Sequence, residues 1–433
     1  MASTRFEPAG PLRGAVTPPA DKSLSHRTAL FGAMCDEPLT IHNYLEAEDT
    51  QSTLGALRAL GAGVDEREGE LVIRGVGLRG ALDVTGGRLD VGNAGTLMRL
   101  LPGWLAGQGS GTWTLDGDDS IRRRPVDRVA EPLRVLGAEV EVQPGGLPPL
   151  TIHGSELQGA EYVLPVPSAQ VKSCCLIAGL LARGETTIRE PYMSRDHTER
   201  LLRRARAPFE RDGLTLKVRQ MDELELEQFT IPGDPSAAAF VVAAALLVPK
   251  SRVTVEGACL NWTRTGFYRI IERMGAVVVG DLEPVGTVAD HEPVGDLDVA
   301  HAPLEGTTVE AEEIPLAVDE IPLVALLGAF AEGETVVKGA EELRVKESNR
   351  IEGVVDGLRG IGAQIEATED GFVVTGTGGL RGGTLDARGD HRLAMLGAVA
   401  GLASDEGVEV AGMNVAAVSY PRFEDDVREL LAA

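Results

Sequence analysis

Two carboxylates and a lysine stand out as groups that could move protons. Asp319 heads an apolar helix inside EIPLAVDEIPLVALLGAF, Glu347 lies between two cations in LRVKESNR, and Lys22 opens KSLSHRTALFGAM. Cations and hydroxyls gather at other helix starts. In DKSLSHR, Ser23 and Arg27 are four residues apart and share a helix face. In NAGTLMR, Gly95 lets backbone approach a ligand closely and Arg99 lies one turn on. SAQVKS repeats the spacing with Ser168 and Lys172, Gln170 between them, and GDHRLAM puts His391 and Arg392 in a first turn. Arg122, Arg123 and Arg124 crowd before Pro125, while Lys346, Asn349 and Arg350 are expected on one face. The helix dipole favours acids at such positions, so cations there point to an anionic ligand met by open N–H groups. Cations nearby keep Asp319 and Glu347 ionised unless burial or a bound anion opposes them, a setting suited to general acid–base work. Because these groups come from many short segments, the ligand is expected to be a small polyanion.

Other candidates carry less chemistry. Arg195 and Glu199 in SRDHTER are spaced for a surface ion pair as readily as for a ligand, and Asn261 with Arg264 in NWTRTGF reads as structural. The four cysteines are too few for a disulfide framework, and Cys174 and Cys175 in SCCLIAGLL read as buried thiols. No His/Cys cluster has metal-ligand spacing, so no metal is expected, and no cofactor either: a Walker-type loop is absent and GVGLRG (75–80) suits no dinucleotide turn. A net charge of −25 over 433 residues argues against nucleic acid as a partner, though not against a small anion. No apolar run reaches the roughly 18 residues of a membrane span. MASTRFEPAGPLRGAVTPP lacks the apolar core of a secretory signal, so a cytoplasmic location is expected.

The elements that must position these residues form a repeat. DKSLSHRTALFGAM, NAGTLMRLLPGWLA, SAQVKSCCLIAGLLA, DPSAAAFVVAAALL, DEIPLVALLGAFA and DHRLAMLGAVAGLA each begin with a capping-type residue and continue as apolar helix. Their first residues, Asp21, Asn93, Ser168, Asp234, Asp319 and Asp390, stand 66 to 85 residues apart. After each comes a β-rich segment (LTIHNY, GTWTLDG, GETTIRE, RVTVEGA, GETVVKGA, GVEVAGM) and a more polar second helix. Four copies then end in a Gly-Ala turn into a strand: LRALGAGV, LRVLGAEVEV, IERMGAVVV and LRGIGAQIEA. The third copy degrades to RRARAPFERD. Helices mixed with strands at this spacing predict α/β units, three in each of two domains, with a seam at QFTIPGDPS (228–236).

The motifs DKSLSHR, NAGTLMR, RRRP, SAQVKS, DEIP, RVKESNR and GDHRLAM stand in the order and spacing of one family. Over essentially the whole chain the sequence resembles the enolpyruvyl transferases, and SAQVK, RDHTE and NWTR look like the variant subgroup called class II. The resemblance implies an α/β fold of two similar domains, each three βαβαββ units around a pseudo-threefold axis, with the active site in the cleft between them. The domains would span 21–231, and 1–20 with 232–433. The implied reaction moves the enolpyruvyl group of phosphoenolpyruvate to the 5-hydroxyl of shikimate 3-phosphate, releasing phosphate through a tetrahedral intermediate. Lys22, Arg124, Arg350 and Arg392 would hold phosphoenolpyruvate, with Gly95 and Gln170 lining it. Lys22, Ser23, Arg27, Ser168, Ala169, Gln170, Arg195, Asp319 and Lys346 would hold shikimate 3-phosphate. Asp319, Glu347 and Lys22 would be catalytic, and a monomer is expected.

The match has departures. Many relatives carry a lysine where NVAAVSYPRF has Val418, and the subgroup often has glycine where Ala20 precedes DKS. Gly95 marks the position where a larger side chain would impede the inhibitor glyphosate. A sister enzyme acting on UDP-N-acetylglucosamine would start Lys-Asn and carry a cysteine near RRRP, neither of which is present. A non-catalytic scaffold would explain six units, but not why their polar side chains differ while the apolar helix persists.

Overall fold

An apolar segment behind a capping residue should start a buried helix, and the computed structural model, which describes residues 3–84 and 86–433, forms one at each of the six places. Helices α1 (Lys22–Met34), α2 (Glu48–Ala59), α3 (Gly95–Ala106), α4 (Asp127–Val135), α5 (Ala169–Leu181) and α6 (His197–Arg204) belong to one compact unit, Ala20–Ile231 with Val288–Glu292. Helices α7 (Pro235–Leu247), α8 (Gly266–Arg273), α9 (Ile314–Ala317), α10 (Ile321–Phe330), α11 (Arg350–Gly360), α12 (His391–Ala403) and α13 (Phe423–Ala432) belong to a second. That second unit is Pro232–Thr287 and Pro293–Ala433, joined by the N-terminal residues through Pro19. Met1 and Ala2, part of the 1–20 piece assigned above to the second domain, lie outside the described residues.

Four helices carry the side-chain cap at the expected residue. Asp21 accepts from the Leu24 N–H, Ser168 from Val171, Asp234 from Ser236 and Asp390 from Arg392. The other two begin one residue later than the sequence suggested. Ala94 and Glu320 take the cap position without a side-chain bond, a loss of about 1 kcal/mol each. Asn93 and Asp319 turn instead to Asp118 and Arg350. Every residue of α7 is buried, as are all but the first two of α1 and α5, which their all-round apolar character requires.

Each copy builds one small sheet on a common plan. In the second copy Arg88–Asp90 runs parallel to Thr112–Asp116, which pairs antiparallel with Leu147–His153, itself antiparallel to Glu139–Gln143. The third and fifth copies repeat this order within their own sequence. The others borrow a strand. Gln228–Thr230 joins Leu39–His42 of the first copy, Arg13–Val16 joins Arg252–Cys259 of the fourth, and Ser3–Phe6 joins Val408–Ala411 of the sixth. The N-terminal strands therefore complete two copies of the second unit.

The Gly-Ala turns end the polar helices in left-handed backbone at Gly61, Gly137, Gly275 and Gly362. In each, the N–H of the following alanine reaches a carbonyl in the last turn of the helix, as in Ala62 to Leu57 at 3.0 Å. The third copy does not degrade at this point: Arg206 adopts φ 55° and Ala207 donates to the Leu202 carbonyl at 2.9 Å. A non-glycine residue is simply holding the glycine conformation. Elsewhere glycine is needed for approach rather than turning. A Cβ on Gly103 would stand 2.3 Å from the Cys174 carbonyl oxygen, so α3 and α5 pack closely only with glycine there.

Candidate active site

In the first unit the start of α1 is tied down on every side. Lys22 Nζ lies 3.2 Å from Asp49 Oδ2, on the first turn of α2. Arg27, though fully buried, donates through Nε to Thr198 Oγ1 at 3.0 Å and through Nη2 to Ser173 Oγ at 3.4 Å, and its Nη1 bonds the Ser23 hydroxyl. His26 sits between these cations with Nδ1 2.7 Å from Thr53 Oγ1. Burial above all, then the charges of Lys22 and Arg27, push its pKa down to about 3, so it is neutral.

The second helix start brings Gly95 beneath two guanidiniums. A Cβ there would be 2.9 Å from Arg124 Nη1 and 3.1 Å from Arg99 Nη1. Arg124 is held by Ser120 Oγ at 2.9 Å and Asn93 Oδ1 at 3.4 Å. Of its neighbours in RRRP, Arg122 pairs with Asp116 at 3.0 Å and Arg123 is exposed, leaving Arg124 as the buried member of the triplet. On α5, Gln170 Nε2 donates to Thr96 Oγ1 of α3 at 3.1 Å, which links the third helix start to the second.

Two expectations fail in this unit. Lys172, counted above among cap cations, is fully buried and paired 2.7 Å from Glu199 and 3.1 Å from Glu190. Glu199 pairs with Lys172 and Arg211 in the interior and is no surface partner of Arg195. Two buried cations demand two buried carboxylates, and these came from segments the spacing rule does not connect.

The second unit holds a tighter cluster. Arg350, 1% exposed, donates through Nε to Asp390 Oδ2 at 2.8 Å, through Nη1 to Asp319 Oδ1 at 3.1 Å and through Nη2 to Glu347 Oε2 at 2.5 Å. The other Asp319 oxygen lies 3.3 Å from Arg392 Nη2, so one carboxylate bridges two arginines. Burial opposes the Arg350 charge, but Asp390, Glu347 and Asp319 outweigh it and hold the guanidinium ionised. Lys346 lies 3.4 Å from Glu342; burial lowers its pKa against the opposing pull of Glu342 and Asp319. Lys346 and Glu347 precede α11 in a bend with Asn349 as the cap, so the shared helix face expected for Lys346, Asn349 and Arg350 is not formed. Arg264 bonds Asp234 at 3.0 Å and Ser236 at 2.9 Å beneath the fourth helix start, the structural role its spacing suggested.

Asp49 and Asp390 are the members that sequence reasoning passed over as ion-pair partners. Each looked like an ordinary acid at a helix start. Among the described residues one His/Glu group, Glu139, Glu141 and His153, brings possible ligand atoms within 4.8 Å of one another. It lies on the face of a hairpin, with His153 already bonded to Thr112 and Glu141. No described helix is long and apolar enough to cross a membrane.

Arginines gathered at helix starts of an α/β repeat, two of them bridged by the Asp319 carboxylate, have the chemistry of an enzyme class that handles small polyanions. The chain belongs to the EPSP synthase (3-phosphoshikimate 1-carboxyvinyltransferase) family, whose model matches residues 6–427. It is 45% identical over 435 aligned positions to a 3-phosphoshikimate 1-carboxyvinyltransferase of Thermus thermophilus, covering 100% of both chains. It is 43% identical to the enzyme of that name from Desulfitobacterium hafniense, covering 98% of this chain and 97% of the relative. Among solved structures, EPSP synthase from Acinetobacter baumannii matches with a TM-score of 0.85 at 37% identity, over 98% of this chain and 97% of that one.

Proposed function

We propose a division of labour among these residues for the family's reaction, with the two compact units as the enzyme's two domains. The enzyme transfers the enolpyruvyl group of phosphoenolpyruvate to the 5-hydroxyl of shikimate 3-phosphate and releases phosphate, in the shikimate pathway to the aromatic amino acids. Its two substrates bring roughly five or six negative charges together. Phosphoenolpyruvate is held by Lys22, Arg124, Arg350 and Arg392, with Gly95 and Gln170 against it. Shikimate 3-phosphate is held by Lys22, Ser23, Arg27, Ser168, Ala169, Gln170, Arg195, Asp319 and Lys346. Arginine forks suit both carboxylate and phosphate.

The observation that carries the assignment is the Asp319 bridge between Arg350 and Arg392. The two arginines fix the direction of this carboxylate, the group proposed to take the proton. In the first step Asp319 takes the 5-hydroxyl proton as the oxygen bonds to the central carbon of phosphoenolpyruvate, while a second proton, delivered from the Glu347 and Lys22 side, turns the methylene into a methyl. In the second, the methyl loses a proton and the C–O bond to phosphate breaks. Glu347 and Lys22 serve the proton transfers and charge around the enolpyruvyl unit.

Phosphate release is the test, measured with both substrates and with each omitted. Release that requires both is expected. Release without shikimate 3-phosphate, or none with both at high concentration, would overturn the reading. A monomer and a cytoplasmic site of action remain part of the proposal, checked by sedimentation and by cell fractionation.

A further inference from the structure

The α5 start differs from the others in where its cation goes. Lys172 Nζ turns away from the helix end into a closed set of charges. It meets Glu199 Oε1 at 2.7 Å, both Glu190 oxygens at 3.1 and 3.3 Å, and the Ser194 carbonyl at 3.4 Å. Arg211 answers from the hairpin strand Phe209–Asp212, with Nη2 2.6 Å from Glu190 and Nη1 3.0 Å from Glu199. The Ser194 hydroxyl donates to Glu190 at 2.6 Å. Two cations and two carboxylates thus balance one another in the interior. Burial pushes the Glu199 carboxyl up, while Lys172 and Arg211 pull it back.

Such a set adds little stability that well-packed apolar side chains would not supply. What it supplies is direction, because each N–H must meet its own acceptor. The acceptors lie beside the residues proposed for shikimate 3-phosphate. The Lys172 backbone N–H bonds the Ser168 carbonyl at 3.0 Å, and Ser194 precedes Arg195. Beside Lys172 and Glu199 in their helices, Ser173 and Thr198 lie 2.7 Å apart and together hold Arg27. One buried ammonium therefore joins α5, α6 and the 190–196 segment at the points from which those side chains project.

We propose that Lys172 is a positioning residue for shikimate 3-phosphate: through Glu190, Glu199 and Ser194 it sets the spacing of Ser168, Ala169, Arg27 and Arg195 without touching the substrate. The inference rests on the ligand roles proposed above. Replacing Lys172 by methionine removes the N–H bonds and keeps the chain length. The double variant Lys172→Met/Glu199→Gln keeps the buried charges balanced, with Arg211 left against Glu190, and guards against failure to fold.

Steady-state kinetics and calorimetric binding of shikimate 3-phosphate alone provide the readout. In the folded variants KM for shikimate 3-phosphate is expected to rise about tenfold or more while KM for phosphoenolpyruvate changes less than about twofold, since small misplacements of clamping residues weigh heavily on binding. An unchanged KM for shikimate 3-phosphate in the double variant would overturn the proposal. So would an equal change in both KM values, the mark of a merely structural role. Wild-type protein that releases no phosphate would overturn the activity instead, so the two failures are told apart.

Discussion

The Asp390 carboxylate that caps α12 also receives the Nε edge of Arg350 at 2.8 Å, so one acid serves a helix start and a guanidinium of the preceding repeat. Asp390 is fully buried, and Ser348 adds a further bond to it at 3.0 Å. Asp390→Asn keeps a competent cap but removes the counter-charge. It is expected to raise KM for phosphoenolpyruvate about tenfold and to cost about 1–3 kcal/mol of stability. Kinetics paired with denaturant unfolding check this, and a wild-type KM would remove Arg350 from the proposed ligand set.

Asp319 touches two arginines and is partly open to solvent, so its loss should affect chemistry before folding. Asp319→Asn, Glu347→Ala and Lys22→Ala are each expected to lower kcat by about 100-fold or more with a near-native melting transition. A variant that turns over like the wild type loses its proposed role.

Gly95 has no room for a methyl group unless Arg124 or Arg99 moves. The clashing atoms are the far ends of long side chains, so Gly95→Ala should fold and shift a guanidinium. KM for phosphoenolpyruvate is expected to rise several-fold, with KM for shikimate 3-phosphate little changed. A larger effect on shikimate 3-phosphate would overturn the assignment of Arg124 to phosphoenolpyruvate.

His26 links stability to acid. Its folded pKa, about 3, lies below the 6.5 of an exposed histidine, so the unfolded chain binds the extra proton between those values. The histidine's contribution is whole above about pH 6.5 and drains as pH falls through that window, by about 1.4 kcal/mol per unit. Denaturant unfolding at pH 7, 5 and 4 should show a gentler decline for His26→Gln than for wild type. Parallel declines would refute the link.

Arg206 occupies a turn that glycine fills in four other copies, and its side chain is exposed. Arg206→Gly is expected to stabilise the protein by about 0.5–1 kcal/mol through relief of left-handed strain. Thermal unfolding decides it; a loss of stability would mean that the arginine makes a compensating contact.

The repeat was legible because its signals are local. A capping residue before an apolar run and a Gly-Ala pair after a polar helix each act within a few residues, and the six buried helices stand where these signals put them. Partnership was not local. Lys172 and Arg27 sit alike in their motifs, yet Lys172 finds Glu190 and Glu199, which it shares with Arg211 and which no spacing rule connects to it. Asp49 and Asp390 were hidden for the converse reason, since an acid at a helix start needs no other explanation. Arg206 misled because the sequence shows the lost glycine and not the retained backbone. The Val418 departure lies at the end of a short 3-10 turn, Met413–Val418, a segment that itself contains no lysine to replace the one common among relatives.

Six copies of one helix start also separate tolerance from vulnerability. Four starts are moored by their own side chains, which leaves Asn93 and Asp319 relieved of that duty and engaged with neighbouring charges instead. At those two places a substitution removes no helix cap. The same change at Asp21 or Asp234 unmoors a helix first. Redundancy in the scaffold is thus what allows the polar side chains of individual copies to diverge.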